Sequence, residues 1–161
     1  MYAQVDAANF REACARFATG VTVVTVLSRT GEPHGLTVTA FTPVSIAPPL
    51  VLACIASNCT FLNHFRESPC FAVNVLSERQ QHLSVVFSEK PEGRFEGVDW
   101  YRNRTGAPLL RGALAVFECE VRQIADEGDH AILLGLVVYA KSHEGQPLAY
   151  FNRGYRKLEG A

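Results

Sequence analysis

The sequence contains no Cys-x-x-Cys pair, no His-x-x-x-His, no Gly-x-Gly-x-x-Gly turn and no Walker A loop. The first two absences remove the common ligand spacings of zinc sites. The other two remove the glycine-rich phosphate cradles of Rossmann and P-loop folds, so any dinucleotide must be held by other means. The five cysteines, Cys14, Cys54, Cys59, Cys70 and Cys119, form an odd set, which fits reduced, buried thiols better than a disulfide framework. His34, His64, His82 and His143 are scattered and make no ligand pair, so no metal is expected. Carboxylates paired for glycosidase chemistry are not suggested either, because the acidic residues fall mostly in turns and on exposed faces. There is no basic run: 15 Lys and Arg stand against 16 Asp and Glu, without the electrostatic footprint of a nucleic-acid binder. No apolar stretch approaches the roughly 20 residues of a membrane span, and the first residues lack the regions of a secretion signal. The expectation is a cytoplasmic protein that binds neither nucleic acid nor membrane.

What is abundant is apolar material. Of 161 residues, 48% are hydrophobic, enough for one domain over residues 1–161 that buries roughly 70% of the surface its unfolded chain exposes. Phe10, Cys14 and Phe17 recur on one face of a predicted helix over Asp6–Ala18, with Gly20 placed to help end it. Strands are predicted over Val21–Leu27, His34–Thr42, Pro49–Ile55, Cys70–Leu76, Ala113–Arg122, Ala131–Lys141 and Pro147–Phe151, from β-branched content, alternation and flanking turn residues. The continuous apolar run of Pro49–Ile55 suits a strand buried on both faces, and short helices are expected over Phe61–Arg66 and Glu78–Phe87. About seven strands that do not alternate regularly with helices favour a closed barrel or a sandwich with a few peripheral helices.

Three polar constellations stand out. Thr37, Thr39 and Thr42 can line one face of a strand and offer hydroxyl donors, or simply face water. Ser57-Asn58-Cys59-Thr60 precedes a predicted helix, where free N–H groups make either a phosphate seat or an ordinary cap. Gly128-Asp129-His130 sits between two strands, where a glycine turn can bring an imidazole to a barrel rim or leave it as plain surface. No serine or cysteine partner stands near it in the chain to form a nucleophilic triad.

Taken in order, Phe10-Arg11, Phe17-Ala18-Thr19-Gly20-Val21-Thr22-Val23-Val24-Thr25, Gly35-Leu36-Thr37-Val38-Thr39-Ala40-Phe41-Thr42, Val44 to Leu52, Phe71 to Leu76, Gln80, Leu83, Phe87, Arg94-Phe95, Gly128-Asp129-His130 and Gly135 resemble the short-chain flavin reductase family over nearly the whole chain. These are the reductase components of two-component flavin-dependent monooxygenases. The resemblance implies a mainly β, Greek-key split barrel (the FMN-binding split barrel) that forms a homodimer. It implies an NADH- or NADPH-dependent enzyme that reduces FMN or FAD and passes reduced flavin to a monooxygenase. It gives flavin-binding roles to Thr37, Thr39, Ala40, Phe41, Thr42, Ser45, Ser57, Asn58, Thr60, Phe87, Ser88 and Arg94. It gives nicotinamide-binding roles to His130, Gly128, Asp129, Arg153 and Tyr155. Pro43 departs from the serine common at that place in the family and, lacking an N–H, is left out of the site.

Hydride transfer between two cofactors needs no protein acid or base, so no catalytic side chain is expected. An abundance of Leu, Val and Phe beyond what one barrel interior holds also points to a subunit interface. Two other readings remain open on the residues alone: a flavin carrier or sensor without turnover, which needs no nicotinamide site, and a small-ligand barrel unrelated to flavin.

Overall fold

The computed structural model describes residues 3–90 and 92–158; residues 1, 2, 91 and 159–161, which the expected domain includes, lie outside it. Helix α1 (Ala7–Ala15) begins where the Asp6 carboxylate accepts the backbone N–H groups of Ala8 and Asn9, both at 3.0 Å, a side-chain N-cap. It ends at Arg16 and not at Gly20, which belongs to the short strand β1 (Thr19–Gly20). The expected apolar face of this helix is not covered within the chain: Phe10 is 59% and Phe17 76% exposed, and Cys14 is exposed as well.

Then come β2 (Thr22–Leu27), β3 (Pro33–Val38), β4 (Phe41–Ile46) and β5 (Pro49–Ala56), followed by helix α2 (Leu62–Glu67) and β6 (Cys70–Val75). A 3-10 turn (Glu78–Gln80) leads into α3 (Gln81–Glu89). The short strands β7 (Trp100–Tyr101) and β8 (Leu109–Leu110) precede two long ones, β9 (Ala115–Glu127) and β10 (His130–Ser142), and β11 (Ala149–Phe151) and β12 (Gly154–Arg156) close the chain. The fold is mainly β, built on a seven-stranded sheet in the order β3-β2-β6-β9-β10-β5-β4, antiparallel throughout.

Strands β3 and β4 are the two edges of that sheet, yet only Thr39 and Ala40 separate them in the chain. Seven strands laid flat at about 4.8 Å spacing would hold their edges nearly 30 Å apart, whereas three virtual bonds reach at most about 11 Å. The sheet is therefore strongly curled, and the Thr39-Ala40 corner joins its two margins. Inside the curl lies an apolar core that includes Val24, Val26, Val51, Ala53, Ile55, Phe65, Phe71 and Leu133. Gly135 is packed so closely there that an added Cβ would stand 2.5 Å from the Phe71 ring and 2.8 Å from Cys119 Cβ. The β9–β10 register shifts beside it, between Leu134 and Gly135.

Several sequence expectations are corrected. The single strand expected over His34–Thr42 is two strands: alternation runs through the Thr39-Ala40 corner, and periodicity does not register that the pairing partner changes from β2 to β5. β5 is not buried on both faces, because Val51, Ala53 and Ile55 are buried while Leu52, Cys54 and Ala56 are partly exposed. Of the cysteines, all free, only Cys119 is fully buried. Helix α2 starts behind Phe61, with no side-chain cap from Ser57-Asn58-Cys59-Thr60. At six residues it has little dipole to offer a phosphate.

The loop region before β9 is fastened from within. Glu118, wholly buried on β9, accepts hydrogen bonds from Asn103 Nδ2, the Arg104 and Thr105 N–H groups and the Thr105 hydroxyl at 2.7 to 3.1 Å. Buried Asn74 ties β2 to the same region, donating to the Val23 carbonyl and accepting the Leu110 N–H at 2.7 Å.

Candidate functional site

The register of β4, β5 and β10 determines which side chains share the outer face of the curled sheet. Thr42 stands opposite Leu52, Leu52 opposite Leu134, Cys54 opposite Ile132 and Ala56 opposite His130. Directly paired residues project to the same side, so the outward half of β5 forms an apolar floor with Thr42 at one margin and His130 at the end of the row. Above this floor is a cavity of about 500 Å³. Its walls come from α1 through Arg11 and Cys14, from the corner and β4 through Thr39, Ala40, Phe41 and Thr42, and from the β11–β12 hairpin through Tyr150 to Arg153. Burial pushes the Cys54 thiol up, so this floor carries no thiolate at neutral pH.

The Gly128-Asp129 turn joins β9 to β10, and Gly128 takes a φ of +61°, which glycine adopts without strain. The turn holds His130 at the sheet rim, its Nδ1 2.6 Å from the Asp129 carboxylate. That hydrogen bond, with the charges of His130 and in smaller part Arg11, keeps the Asp129 carboxyl below the usual carboxylate range. With Nδ1 engaged, Nε2 is the ring nitrogen left for a ligand. The Ser57 N–H donates to the Asp129 carbonyl at 2.9 Å, so the Ser57-Asn58 segment and the histidine turn are neighbours.

A second cavity of about 570 Å³ lies around His34, Gly35, Phe61, Arg94, Phe95 and Trp100. Arg94 donates to the Gly35 carbonyl at 2.8 Å and to the Lys90 carbonyl, and its guanidinium lies over the Phe61 ring at 4.7 Å. Desolvation lowers its pKa. His34 stacks on His64 with centroids 4.1 Å apart, and its Nε2 is buried without a partner among the described residues. Burial first, and His64 second, push its pKa down.

Thr39, Ala40, Phe41, Thr42 and Arg153 thus meet around the main cavity, with His130, Asp129 and Gly128 at the end of its floor. Ser57, Asn58 and Thr60 are exposed in the adjoining loop, and Arg94 is on the second cavity. Ser45 lies past a register shift in β4, opposite Leu50. Thr37 and Tyr155 go elsewhere: the Thr37 hydroxyl donates to the Ser84 carbonyl at 2.7 Å, and Tyr155 shares a hydrogen bond with the Ser84 hydroxyl at 2.8 Å. Ser88 turns its hydroxyl to the Val85 carbonyl. Phe87 is corrected outright: it is wholly buried, packed edge-on to Phe95 with ring centroids 5.0 Å apart and against Gly35, so it has no free surface to lay over a ligand. Sequence reasoning missed Leu52, Cys54, Tyr150 and Arg11; for the first two, the alternation along β5 was the available signal. No group of three or more His, Cys, Asp or Glu side chains among the described residues is arranged to hold a metal ion. No helix among them is long and apolar enough to cross a membrane.

Residues 14–159 match the family model of the flavin reductase like domain. The FMN reductase (NADH) SmoA of Agrobacterium fabrum is 42% identical over 142 residues, covering 88% of this chain and 80% of that protein. The stachydrine N-demethylase reductase subunit of Rhizobium meliloti is 38% identical over 150 residues, 93% of this chain and 65% of that protein. Some curated relatives extend well beyond the match, and the chain spans about half of their length. Among solved structures, the NADH:FAD oxidoreductase SgcE6 of Streptomyces globisporus, in complex with NAD and FAD fragments, superposes with a TM-score of 0.89 at 35% identity, covering 95% of this chain and 93% of that one. The outward cavity and histidine turn are thus features of a chain that belongs to the flavin reductase like domain family.

Proposed function

We propose that this chain is an NAD(P)H-dependent flavin reductase that reduces FMN or FAD and supplies reduced flavin to a monooxygenase component. The observation that carries the reading is the outward cavity on the β5 floor, apolar below and hydroxyl-lined at the Thr39–Thr42 margin, with His130 at the end of the paired β5–β10 row. The donor set suits a flavin ring. Leu52, Cys54, Tyr150 and Phe151 offer apolar contact, while Thr39, Thr42 and the corner backbone offer polar groups at one edge. A bound flavin would accept the hydride of a reduced nicotinamide. The chain's part is to keep the two rings at van der Waals distance and to place hydroxyl and N–H donors where negative charge grows.

Thr39, Ala40, Phe41 and Thr42 are assigned to the flavin ring, with Ser57, Asn58, Thr60 and Arg94 toward its phosphate end. His130, presented by Gly128 and Asp129, is assigned to the nicotinamide nucleotide together with Arg153. The curled sheet with margins joined at Thr39-Ala40 supports the Greek-key split barrel. Phe10, Phe17, Val44 and the 94% exposed Ile46 are apolar side chains left uncovered within the chain, which suits a homodimer. Sedimentation is expected to give a dimer, and a stable monomer would count against a cleft shared between subunits. A cytoplasmic place fits this chemistry.

The test is direct: mix the protein with FMN or FAD and NADH or NADPH and follow nicotinamide absorbance. Turnover is expected; flavin binding without turnover would mark a carrier or sensor. His130→Ala is expected to raise the KM for the nicotinamide about tenfold or more, the loss of one hydrogen bond to a charged group, with flavin affinity unchanged. Unchanged nicotinamide kinetics in that variant would remove His130 from the site.

A further inference from the structure

Two imidazoles are stacked at one edge of the curled sheet, and hydride transfer has no use for them. His34 lies near the start of β3, an edge strand whose sheet partner is β2. It stands opposite Val26, which belongs to the core, so its ring projects to the core side. There it meets the His64 ring of α2 almost in parallel, at 7° and 4.1 Å between centroids, and the Phe61 ring at 5.2 Å. The next residue along β3, Gly35, accepts Arg94 Nη1 at 2.8 Å, and the Arg94 guanidinium lies over Phe61 at 4.7 Å. Edge strand, helix α2 and the Arg94 loop therefore meet in one stack of rings.

The stack suits neutral imidazoles. His34 Nε2 is buried without a partner among the described residues. An imidazolium carries a proton on both nitrogens, so charging His34 buries a cationic N–H that no acceptor faces. Charging both rings sets two cations face to face beside the Arg94 guanidinium. The surrounding carboxylates do little against this. Glu32, Glu92 and Glu96 share a cavity with His34, but all three are exposed, where such attractions are weak, and Glu96 is engaged by Lys90 at 2.9 Å. Beside His64, Arg29 and Glu67 pair with each other at 3.8 Å.

We propose that the His34–His64 stack is an acid-released latch: neutral, it holds the β3 edge and the Arg94 loop against α2, and protonated, it opens and frees Arg94 from Gly35. The latch goes beyond the flavin reductase reading; only its effect on flavin rests on that reading, through the assignment of Arg94 to the phosphate end. Burial first, and His64 second, hold His34 below its ordinary 6.5, against a smaller pull from Glu32. The unfolded chain thus binds more protons than the folded one below 6.5. The stabilisation is complete above that pH and is lost as the pH falls beneath it.

The experiment follows the protein between about pH 7.5 and about pH 5.5 by NMR, thermal denaturation and FAD binding. In the wild type, the His34 ring protons are expected to titrate below 6.5. The wild-type Tm is expected to fall by several degrees more over this range than that of His34→Phe or His64→Phe, which keep a ring in the stack and take no proton. FAD, whose pyrophosphate does not titrate here, is expected to bind the wild type several-fold more weakly at the acid end and His34→Phe equally at both. A His34 that titrates at or above 6.5, or equal acid losses of Tm in the wild type and both variants, overturns the latch; the NMR titration needs no variant to fold. FAD affinity that is constant with pH overturns the release of Arg94. A wild type that binds FAD at neither pH overturns the flavin reading instead, since the NMR and thermal measurements use no flavin.

Discussion

Cys54→Phe is expected to lower flavin affinity about 100-fold, close to 2.7 kcal/mol, while leaving thermal stability nearly unchanged. The asymmetry follows from the two faces of β5. Val51, Ala53 and Ile55 are buried in the core, whereas Cys54 projects the other way, onto the cavity floor beside Ile132, its N–H donating to the Ala40 carbonyl at 2.9 Å. A phenyl ring there occupies the space that an isoalloxazine would use, and an apolar ring shut out of an apolar cavity loses burial worth a few kcal/mol. Because the thiol is neutral, the substitution removes no charge, and the loss of affinity is steric. Fluorescence quenching of FMN and FAD measures the effect; equal affinity in the variant would move the flavin away from this cavity.

Glu118→Ala is expected to destabilise the protein by about 3 kcal/mol, a drop of several degrees in Tm, read by thermal denaturation. Four donors converge on one wholly buried carboxylate. Asn103 and Arg104 are exposed and can turn to water, but Thr105 is half-buried, and its N–H and hydroxyl are left underpaired, at about 1–3 kcal/mol for each buried group stranded. A cavity where the Glu118 side chain had been adds to this. Glu118→Gln keeps the volume but sets an NH2 group against donors, so an intermediate loss is expected. Stability equal to the wild type in both variants would show that water replaces the carboxylate at no cost.

The readable parts of the sequence were those in which local chemistry and final structure agree. The β-branched Thr22–Leu27 segment, the glycine turn before His130 and the apolar Cys70–Val75 segment formed strands and a turn close to where their residues placed them. Alternation could not reveal the corner at Thr39-Ala40, because side chains keep alternating while the backbone changes partner. The Ser57–Thr60 segment has good capping residues, yet the helix begins at Leu62 behind Phe61 with no side-chain cap, and the segment's backbone is instead tied to the histidine turn through the Ser57 N–H and the Asp129 carbonyl. The site was legible where it is contiguous, from Thr39 to Thr42. It was illegible where α1, β5 and the β11–β12 turn come together, because no short-range pattern couples Arg11 to Cys54 or to Asn152. Phe87 was misplaced for a related reason: whether an aromatic residue on a helix faces ligand or core depends on what packs over it, here Gly35 and Phe95.

Pro43 acquires a role once the sheet order is known. It sits in β4, an edge strand paired on one side only, with β5. An open edge is a template on which another chain can add a strand and begin to aggregate. A proline in that row withholds one of the donors such a ladder needs, and the irregularity between Pro43 and Ser45 breaks the even spacing that an incoming strand would follow. Pro43 thus blunts the open β4 edge against the addition of a further strand.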